Sequence, residues 1–369
     1  MPIAALAQRT VFDEPSCIVL RLPLGETLGE LHPGGIFPLV EDPRRSERAC
    51  IVGMMVLRPG STAWSPSSLE SDLAGAVRGV RDWCFDVDGV GGSWPISGGN
   101  ALDAYRLAFQ YGTVDAVLAG ATTVAREGLV AGARRGHLWQ PYTPLSWAVL
   151  QPYRDVLEPA IAALRVDWQR LGVLSARRHP AQIAVTASGR VPPGAPDLLD
   201  ARMFHDRHPD GSPIEAYVLT SEAGAARLRE RARAKGHSID ERLVVSSPVG
   251  RPDEMDVAQV PKLLRTKLDA RLVEHDGGAV SLEGFAKAGA LAQVNLTLMR
   301  GRSVREVFAA SSRIDAAVRE SVLDSWRQRV RTLPSGGGTL PSEWRPVYAL
   351  VEEGRGAEAV VVSFDVRAG

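Results

Sequence analysis

Short apolar runs bounded by Gly, Pro and Ser alternate along this chain with segments of helical periodicity. The clearest unit starts at Asn100, which can cap a helix carrying Leu102, Tyr105 and Phe109 at spacings of three and four, and leads to a buried strand at 114–119. Later strand candidates have the same apolar character, at 182–187, 216–220, 243–246 and 270–274. This rhythm predicts an α/β fold with a mostly parallel central sheet flanked by helices.

The two ends of the chain and two insertions depart from this rhythm. Apolar runs at 348–351 and 360–366 predict antiparallel strands that close the sheet in a hairpin near the C-terminus. An aromatic-rich stretch at about 129–180 and a second stretch at 302–346 look like insertions. We therefore predict one domain over residues 1–369. Its core spans about 80–300, with an N-terminal extension (1–80) whose runs at 18–24 and 51–57 look like extra strands, the insertion at about 129–180, and a C-terminal extension (301–369).

Composition excludes several classes of protein. Lys plus Arg and Asp plus Glu both number 43, so no net positive field favours nucleic acid. Three cysteines without a Cys-x-x-Cys pair argue against a disulfide framework or a thiolate zinc site. The histidine-containing segment 205–208 is flanked by Pro209 and Gly211 and predicts a surface loop, so no metal is expected. No apolar run reaches the roughly 18 residues that a membrane span needs, so we expect a cytoplasmic protein without a membrane partner.

Two glycine-containing turns follow buried strands and open helices. The first is Gly120-Ala121-Thr122-Thr123-Val124, and the second is Asp276-Gly277-Gly278-Ala279-Val280. Glycine lets the backbone approach a ligand closely, and amides at a helix N-terminus point toward an anion. Neither turn is the dinucleotide fingerprint Gly-x-Gly-x-x-Gly, and either one alone is as typical of a simple turn. Both are candidates to hold the phosphates of a dinucleotide.

The two turns belong to a longer pattern. Ile96-Ser97-Gly98-Gly99, the Tyr105 helix and the run 114–124 resemble a segment of the riboflavin-biosynthesis reductases, in which an Ile-Ser-Gly turn, a helix and Asp-Ala-Val-Leu-Val-Gly-Ala-Gly-Thr-Val succeed one another. The run 272–278 and the helix and strand after it are similar to the Leu-Val-Glu-Gly-Gly ending of the same family. The resemblance covers roughly residues 86–299 apart from the insertion.

This resemblance implies a dihydrofolate-reductase-like fold, NADPH bound across the carboxyl ends of the strands, and a homodimer that acts on a small molecule. It implies that the first turn meets the nicotinamide half of the cofactor through Gly120, Thr122, Thr123 and Val124. The second turn would lie along the pyrophosphate through Gly277, Gly278, Ala279 and Val280. Three further residues, for which a solvated turn is an equal alternative, fall where the family contacts the adenosine phosphate: Ser188, Arg190 and Thr220.

Two aspartates are candidates for the catalytic acid. The cofactor supplies a hydride, and the protein must orient it and see that the product gains a proton. The family uses an Asp-Gly near its first core strand, matched here by Asp88-Gly89, and the Glu of its Glu-Gly-Gly, where this chain has Asp276. Asp276 is favoured over Asp88 to polarise a C=N or C=O group or to relay a proton, although aspartates at strand ends are often plain turn residues.

Three functions remain open from the sequence. The zinc deaminase of bifunctional family members is excluded, because neither a His-x-Glu nor a Pro-Cys-x-x-Cys sequence is present. The first hypothesis is an NADPH-dependent reductase of a heterocyclic or glycosylamine-like molecule, including the riboflavin-pathway pyrimidine. The second is a reductase of the same fold recruited to specialised metabolism or pterin reduction, which the aromatic-rich insertion favours. The third is a non-catalytic binding protein that has lost turnover.

Overall fold

A computed structural model of the chain describes residues 18–23, 39, 41–59, 83–84, 97–98, 100–127, 150–151, 154–191, 194, 196–208, 210–277, 279–303, 306–307, 344–353 and 359–367. The described strands form an 11-stranded sheet in the order β1-β10-β11-β9-β2-β8-β4-β5-β6-β7, with β3 paired to β2. They are β1 (Ile18–Pro23), β2 (Cys50–Pro59), β3 (Trp83–Cys84), β4 (Ala116–Gly120), β5 (Ala181–Thr186), β6 (Ala216–Ser221), β7 (Leu243–Ser246), β8 (Leu272–His275), β9 (Gln293–Met299), β10 (Arg345–Glu353) and β11 (Ala359–Asp365).

Most of the sheet is parallel. Neighbouring strands run parallel from β9 through β2, β8, β4, β5 and β6 to β7. Strand β11 is antiparallel to both β9 and β10, and β10 pairs in parallel with β1. The predicted fold class, a mostly parallel sheet with antiparallel C-terminal strands, is confirmed.

Six helices are described. They are α1 (Ala101–Gly112), α2 (Ala121–Glu127), α3 (Arg154–Arg170), α4 (Glu222–Ala234), α5 (Val260–Leu268) and α6 (Ala279–Lys287). The predicted cap of α1 is confirmed, because the side-chain oxygen of Asn100 accepts hydrogen bonds from the backbone N–H groups of Leu102 (2.9 Å) and Asp103 (3.1 Å). Such a cap satisfies donors that the first turn of a helix otherwise leaves unpaired.

The structure differs from the predicted boundary between the core of the domain and its N- and C-terminal extensions. Strand β2, which we assigned to the N-terminal extension, lies between β8 and β9 in the middle of the sheet, and all of its residues are buried. Strands β10 and β11 of the C-terminal extension are also part of this sheet. Helix α3 of the insertion packs on α1 through the edge-to-face rings of Phe109 and Trp168, whose centroids lie 6.3 Å apart. Long-range pairing therefore draws these segments into the core.

The helices cover the sheet in two layers. Helices α5 and α6 lie on one face, where Leu264, Leu282 and Phe285 pack against Leu118 of β4 and Val273 of β8. Helices α2 and α4 lie on the opposite face, in a cluster that includes Val124 and Leu228 together with the β4 residue Ala119. Successive residues of a strand point to opposite faces, so β4 contributes alternate side chains to the two layers. Within the described residues, no helix is long and apolar enough to span a membrane.

Candidate functional site

The carboxyl ends of β4 and β8 meet at one edge of the sheet, and the space between the two turns that follow them is called the crevice below. The two strands are adjacent and parallel, and the N–H group of Asp276 donates to the carbonyl of Leu118 at 2.8 Å, which ties the two turns together. After β4 the chain enters α2 on one face of the sheet, whereas after β8 it enters α6 on the opposite face. Neighbouring strands whose following segments leave on opposite faces mark the switch point at which open α/β sheets bind ligands.

The first turn supplies one wall of this crevice. Gly120 ends β4, and Thr122 and Thr123 lie in the first turn of α2; all three are partly exposed. Among the described residues, a Cβ added at Gly120 would meet nothing nearer than the Thr123 hydroxyl at 3.8 Å, which leaves room beside this backbone. Val124 differs from the prediction, because its side chain is only 1% exposed and packs in the core under α2. The Val124 side chain packs in the core beneath the turn, stabilises it there and does not line the crevice.

Asp276 lies in the mouth of the crevice. It is partly exposed, and the Tyr111 hydroxyl at the end of α1 donates a hydrogen bond to its carboxylate. Desolvation raises the pKa of Asp276 above its usual range, against the hydrogen bond from Tyr111 and the charge of Arg106, which both lower it. The sequence singled out Asp276 but not Tyr111. A partly exposed carboxylate with a fixed donor can accept and release a proton at a bound substrate.

Two further buried charged residues stand behind Asp276, and sequence reasoning missed both roles. Glu274 is fully buried in β8, and Arg106 of α1 is 1% exposed and forms an ion pair with Asp103 at 2.9 Å. The signal in the sequence was available. Asp103, Arg106 and Gln110 recur at helical spacing on α1, and Glu274 is a charged residue inside an apolar strand.

His275 supports the second turn from below. Its ring is fully buried against Phe285, with ring centroids 4.6 Å apart, and its Nε2 atom hydrogen-bonds the Ser281 hydroxyl at 2.9 Å. Burial lowers the pKa of His275 to about 4, so the ring is neutral at pH 7. A Cβ at Gly277 would overlap this ring, which explains the glycine. Ala279 and Val280 begin α6, so their backbone lies at the helix N-terminus, as predicted.

The residues predicted to contact an adenosine phosphate lie further along the same edge, after β5 and β6. Ser188 is partly exposed and Arg190 is exposed, in a loop held on α4 by Arg227, which donates to the carbonyl of Ser188 at 2.7 Å. Thr220 is placed differently from the prediction. It is fully buried, and its hydroxyl donates to the carbonyl of Ala187 at 3.4 Å, because α4 packs closely over this loop. Thr220 therefore shapes the loop and presents no hydroxyl to a ligand.

Some predicted residues cannot be placed. Asp88 and Gly278 lie outside the described residues. In the segment 205–208, His205 is exposed and its Nε2 atom hydrogen-bonds the carbonyl of Leu199 at 2.8 Å. Over the part of the chain that is described, no group of three or more His, Cys, Asp or Glu side chains is arranged to hold a metal ion.

Comparison with known proteins gives matches of fold only. No protein-family model matches the chain, and no curated protein matches it. Among solved structures, the chain is similar to a pyrimidine reductase-like protein from Corynebacterium diphtheriae, with 13% identity over 86% of this chain and 91% of that chain, and a TM-score of 0.43. It is also similar to a riboflavin biosynthesis reductase from Saccharomyces cerevisiae, with 9% identity over 92% of this chain and 96% of that chain, and a TM-score of 0.37.

A third similar structure is RibD from Acinetobacter baumannii, with 9% identity over 87% of this chain and 58% of that chain, and a TM-score of 0.36. The names of the first two structures are those of pyrimidine and riboflavin-biosynthesis reductases. The likeness to these three structures concerns the fold alone.

Proposed function

We propose that this chain is an NADPH-dependent reductase, which transfers a hydride to a C=N or C=O group of a small heterocyclic or glycosylamine-like molecule. The observation that carries this proposal is the pair of adjacent turns after β4 and β8, with a glycine that leaves room among the described residues in the first and a carboxylate with a fixed donor in the second. The motifs that surround the two turns resemble those of riboflavin-pathway reductases, and they support the choice of cofactor.

The residues at this edge fit an extended dinucleotide. The four neighbouring strands β8, β4, β5 and β6 span about 15 Å at the usual spacing of about 4.8 Å. The turn before α6 would hold the pyrophosphate through backbone N–H groups at the helix N-terminus. The room beside Gly120 would take the nicotinamide half, with the hydroxyls of Thr122 and Thr123 at its rim. Ser188 and Arg190 would meet the adenosine phosphate.

Asp276 is the residue that we propose at the reacting group. NADPH supplies the hydride when bound, and the protein must deliver a proton to the nitrogen or oxygen of the reduced bond. Tyr111 orients the Asp276 carboxylate, which is partly exposed to the crevice. Asp276 would hold the substrate by a hydrogen bond and pass it a proton. The substrate class and the homodimer are inferred from the resemblance alone.

Nucleotide binding tests this proposal directly. Purified protein is titrated with NADPH and with NADH while tryptophan fluorescence and the melting temperature are followed. We expect NADPH to bind more tightly and to stabilise the fold by about 2.7 kcal/mol at a hundredfold excess over its Kd. Gly120→Val should abolish this stabilisation, because its side chain occupies the space beside the backbone.

A second glycine provides the matched control. Gly284 lies on α6, and a Cβ there would meet no atom of the described part of the chain within 4 Å, so Gly284→Ala should bind NADPH like the wild type. Equal loss of binding in both variants would point to a general disturbance of the fold. If the wild-type protein binds neither nucleotide, the reductase proposal is wrong and a non-catalytic binding function takes its place.

A further inference from the structure

The Glu274 side chain is enclosed by apolar neighbours within the sheet. In the parallel register it lies beside Val52 of β2 and Val117 of β4, and all three side chains are buried. Val273 and His275 point toward α6, so strand alternation directs Glu274 to the opposite face, toward α1. Neither carboxyl oxygen of Glu274 has a hydrogen-bond partner among the described residues. A carboxylate in such a place would be both desolvated and unpaired.

The charged groups that face Glu274 do not balance if every group is ionised. Helix α1 contributes Asp103 and Arg106, and the turn after β8 contributes Asp276, while the polar side chains Gln293 and Asn295 of β9 are neutral. Among the described residues, one guanidinium group thus lies among three carboxyl groups. Arg106 is already paired with Asp103 at 2.9 Å. If Glu274 and Asp276 were both ionised, two negative charges would lack a counter-charge, whereas a proton on one of them leaves a single charge.

The hydrogen bonds decide which carboxyl group holds it. Tyr111 donates to Asp276, and this bond favours the ionised form of Asp276. No donor among the described residues reaches Glu274, and burial together with the charge of Asp276 raises the pKa of Glu274 well above its usual range. Asp276 follows Glu274 by two positions, directly after the end of β8, which is about 6.6 Å along an extended backbone. Glu274, which is buried, therefore carries the proton, and Asp276, which is partly exposed, carries the negative charge.

We propose that Glu274 is a proton store for the reduction, which reaches the substrate through Asp276. This inference rests on the proposed reductase function. The hydride forms the new C–H bond, and the π electrons of the C=N or C=O group move to its heteroatom. The proton of Glu274 passes to the Asp276 carboxylate, and from there to the heteroatom, which gains its N–H or O–H bond. Glu274, now ionised, regains a proton from solvent before the next cycle.

Glu274→Gln tests this store, with Glu283→Gln as control. Glutamine keeps the shape of the protonated acid and cannot release a proton at these pH values. The control residue Glu283 forms an ion pair with Lys287 on α6 and is separate from Glu274 and Asp276. The first measurement is urea unfolding from pH 5 to pH 8 without cofactor. A carboxyl group with a raised pKa in the folded state loses stability as the pH rises from its unfolded pKa toward its folded one. The wild-type unfolding constant should therefore rise, relative to that of Glu274→Gln, by up to tenfold per pH unit.

The second measurement separates a catalytic from a structural role. With a substrate found by screening pyrimidines and pterins, we expect Glu274→Gln to lower kcat at least tenfold while the Kd for NADPH and the KM stay within twofold. The wild-type kcat should fall as the pH rises through the pKa of Glu274, and this decline should disappear in the variant. Glu283→Gln should behave like the wild type in both measurements.

The possible failures can be told apart. Parallel stability curves for the wild type and Glu274→Gln would show that Glu274 holds no extra proton, and would refute the store while leaving the reductase function intact. An unchanged kcat in an active Glu274→Gln enzyme would do the same. Absence of NADPH binding to the wild type would overturn the reductase function, and the proton store with it.

Discussion

Asp115 offers the sharpest test of the hydrogen-bonding framework at the edge of the sheet opposite the crevice. Its carboxylate is fully buried just before β4, where one oxygen accepts from the N–H (2.8 Å) and the hydroxyl (2.7 Å) of Ser175. The other oxygen accepts from the N–H groups of Arg271 (2.8 Å) and Leu272 (3.2 Å). One side chain thereby ties β4 to β8 and to the loop after α3.

Asp115→Asn replaces one accepting oxygen by an NH₂ group. The variant keeps the bonds from Arg271 and Leu272 and turns its NH₂ group toward Ser175, so that the Ser175 N–H group loses its acceptor and the Ser175 hydroxyl can only accept. Hydrogen bonds to a charged acceptor contribute about 1.5–3 kcal/mol each, so two lost bonds cost about 3–6 kcal/mol. The charge no longer buried offsets part of this loss, and we expect a net destabilisation of about 3 kcal/mol.

Urea unfolding at pH 7, followed by tryptophan fluorescence, measures this cost as a lower midpoint with an unchanged m value. The control is Asp167→Asn on α3, where the ion pair with Arg170 is exposed and should contribute about 0.5 kcal/mol or less. NADPH binding should be retained in both variants, because Asp115 lies at the edge of the sheet remote from the crevice. A cost below about 1 kcal/mol for Asp115→Asn would refute the argument that this carboxylate organises the edge.

Two further predictions concern the site itself. Tyr111→Phe removes the donor that lowers the pKa of Asp276, so the pKa of Asp276 rises further. A raised folded-state pKa costs stability above the unfolded pKa, so the variant should lose about 1–2 kcal/mol more unfolding free energy at pH 8 than at pH 5 in urea unfolding. Equal losses at the two pH values would contradict this prediction. Gly189→Ala should cost more than Gly236→Ala. Both glycines have a positive φ, but a Cβ at Gly189 would also meet the Gly224 backbone, whereas one at Gly236 meets no described residue within 4 Å. Thermal melts should show a loss of about 1 kcal/mol in unfolding free energy for Gly236→Ala and at least twice that loss for Gly189→Ala. Equal losses would mean that the loop shifts to accommodate the added Cβ.

The two edges of the sheet differ in the hydrogen bonding of their polar side chains. At the amino edge, Arg165 donates to the carbonyls of Gly112 (3.2 Å) and Val114 (2.7 Å), and Asp115 accepts three bonds from backbone N–H groups and one from the Ser175 hydroxyl. At the carboxyl edge, Glu274 has no hydrogen-bond partner among the described residues, and Asp276 is partly exposed. An unpaired buried carboxyl group destabilises a fold, so its presence beside Asp276 favours a functional role for this edge.

Local patterns in the sequence were enough to locate most elements. The strands from β4 to β8 and the cap at Asn100 lie within about two residues of their predicted positions, because apolar periodicity and capping act over a few neighbouring residues. The order of the turns along the chain also identified Gly120, Thr123 and Asp276, which the structure brings to one edge of the sheet. Parallel strands end at the same edge, so this much follows from the fold class.

Only the tertiary structure decided which segments are central and which polar groups are paired. Strand β2 looked like an addition before the core and lies in its middle, and Thr220 looked like a ligand contact and is buried under α4. The pairing of Tyr111 with Asp276 joins residues 165 positions apart. Burial and hydrogen bonding between distant segments depend on how strands and helices pack, and the local periodicity of a sequence does not predict that packing.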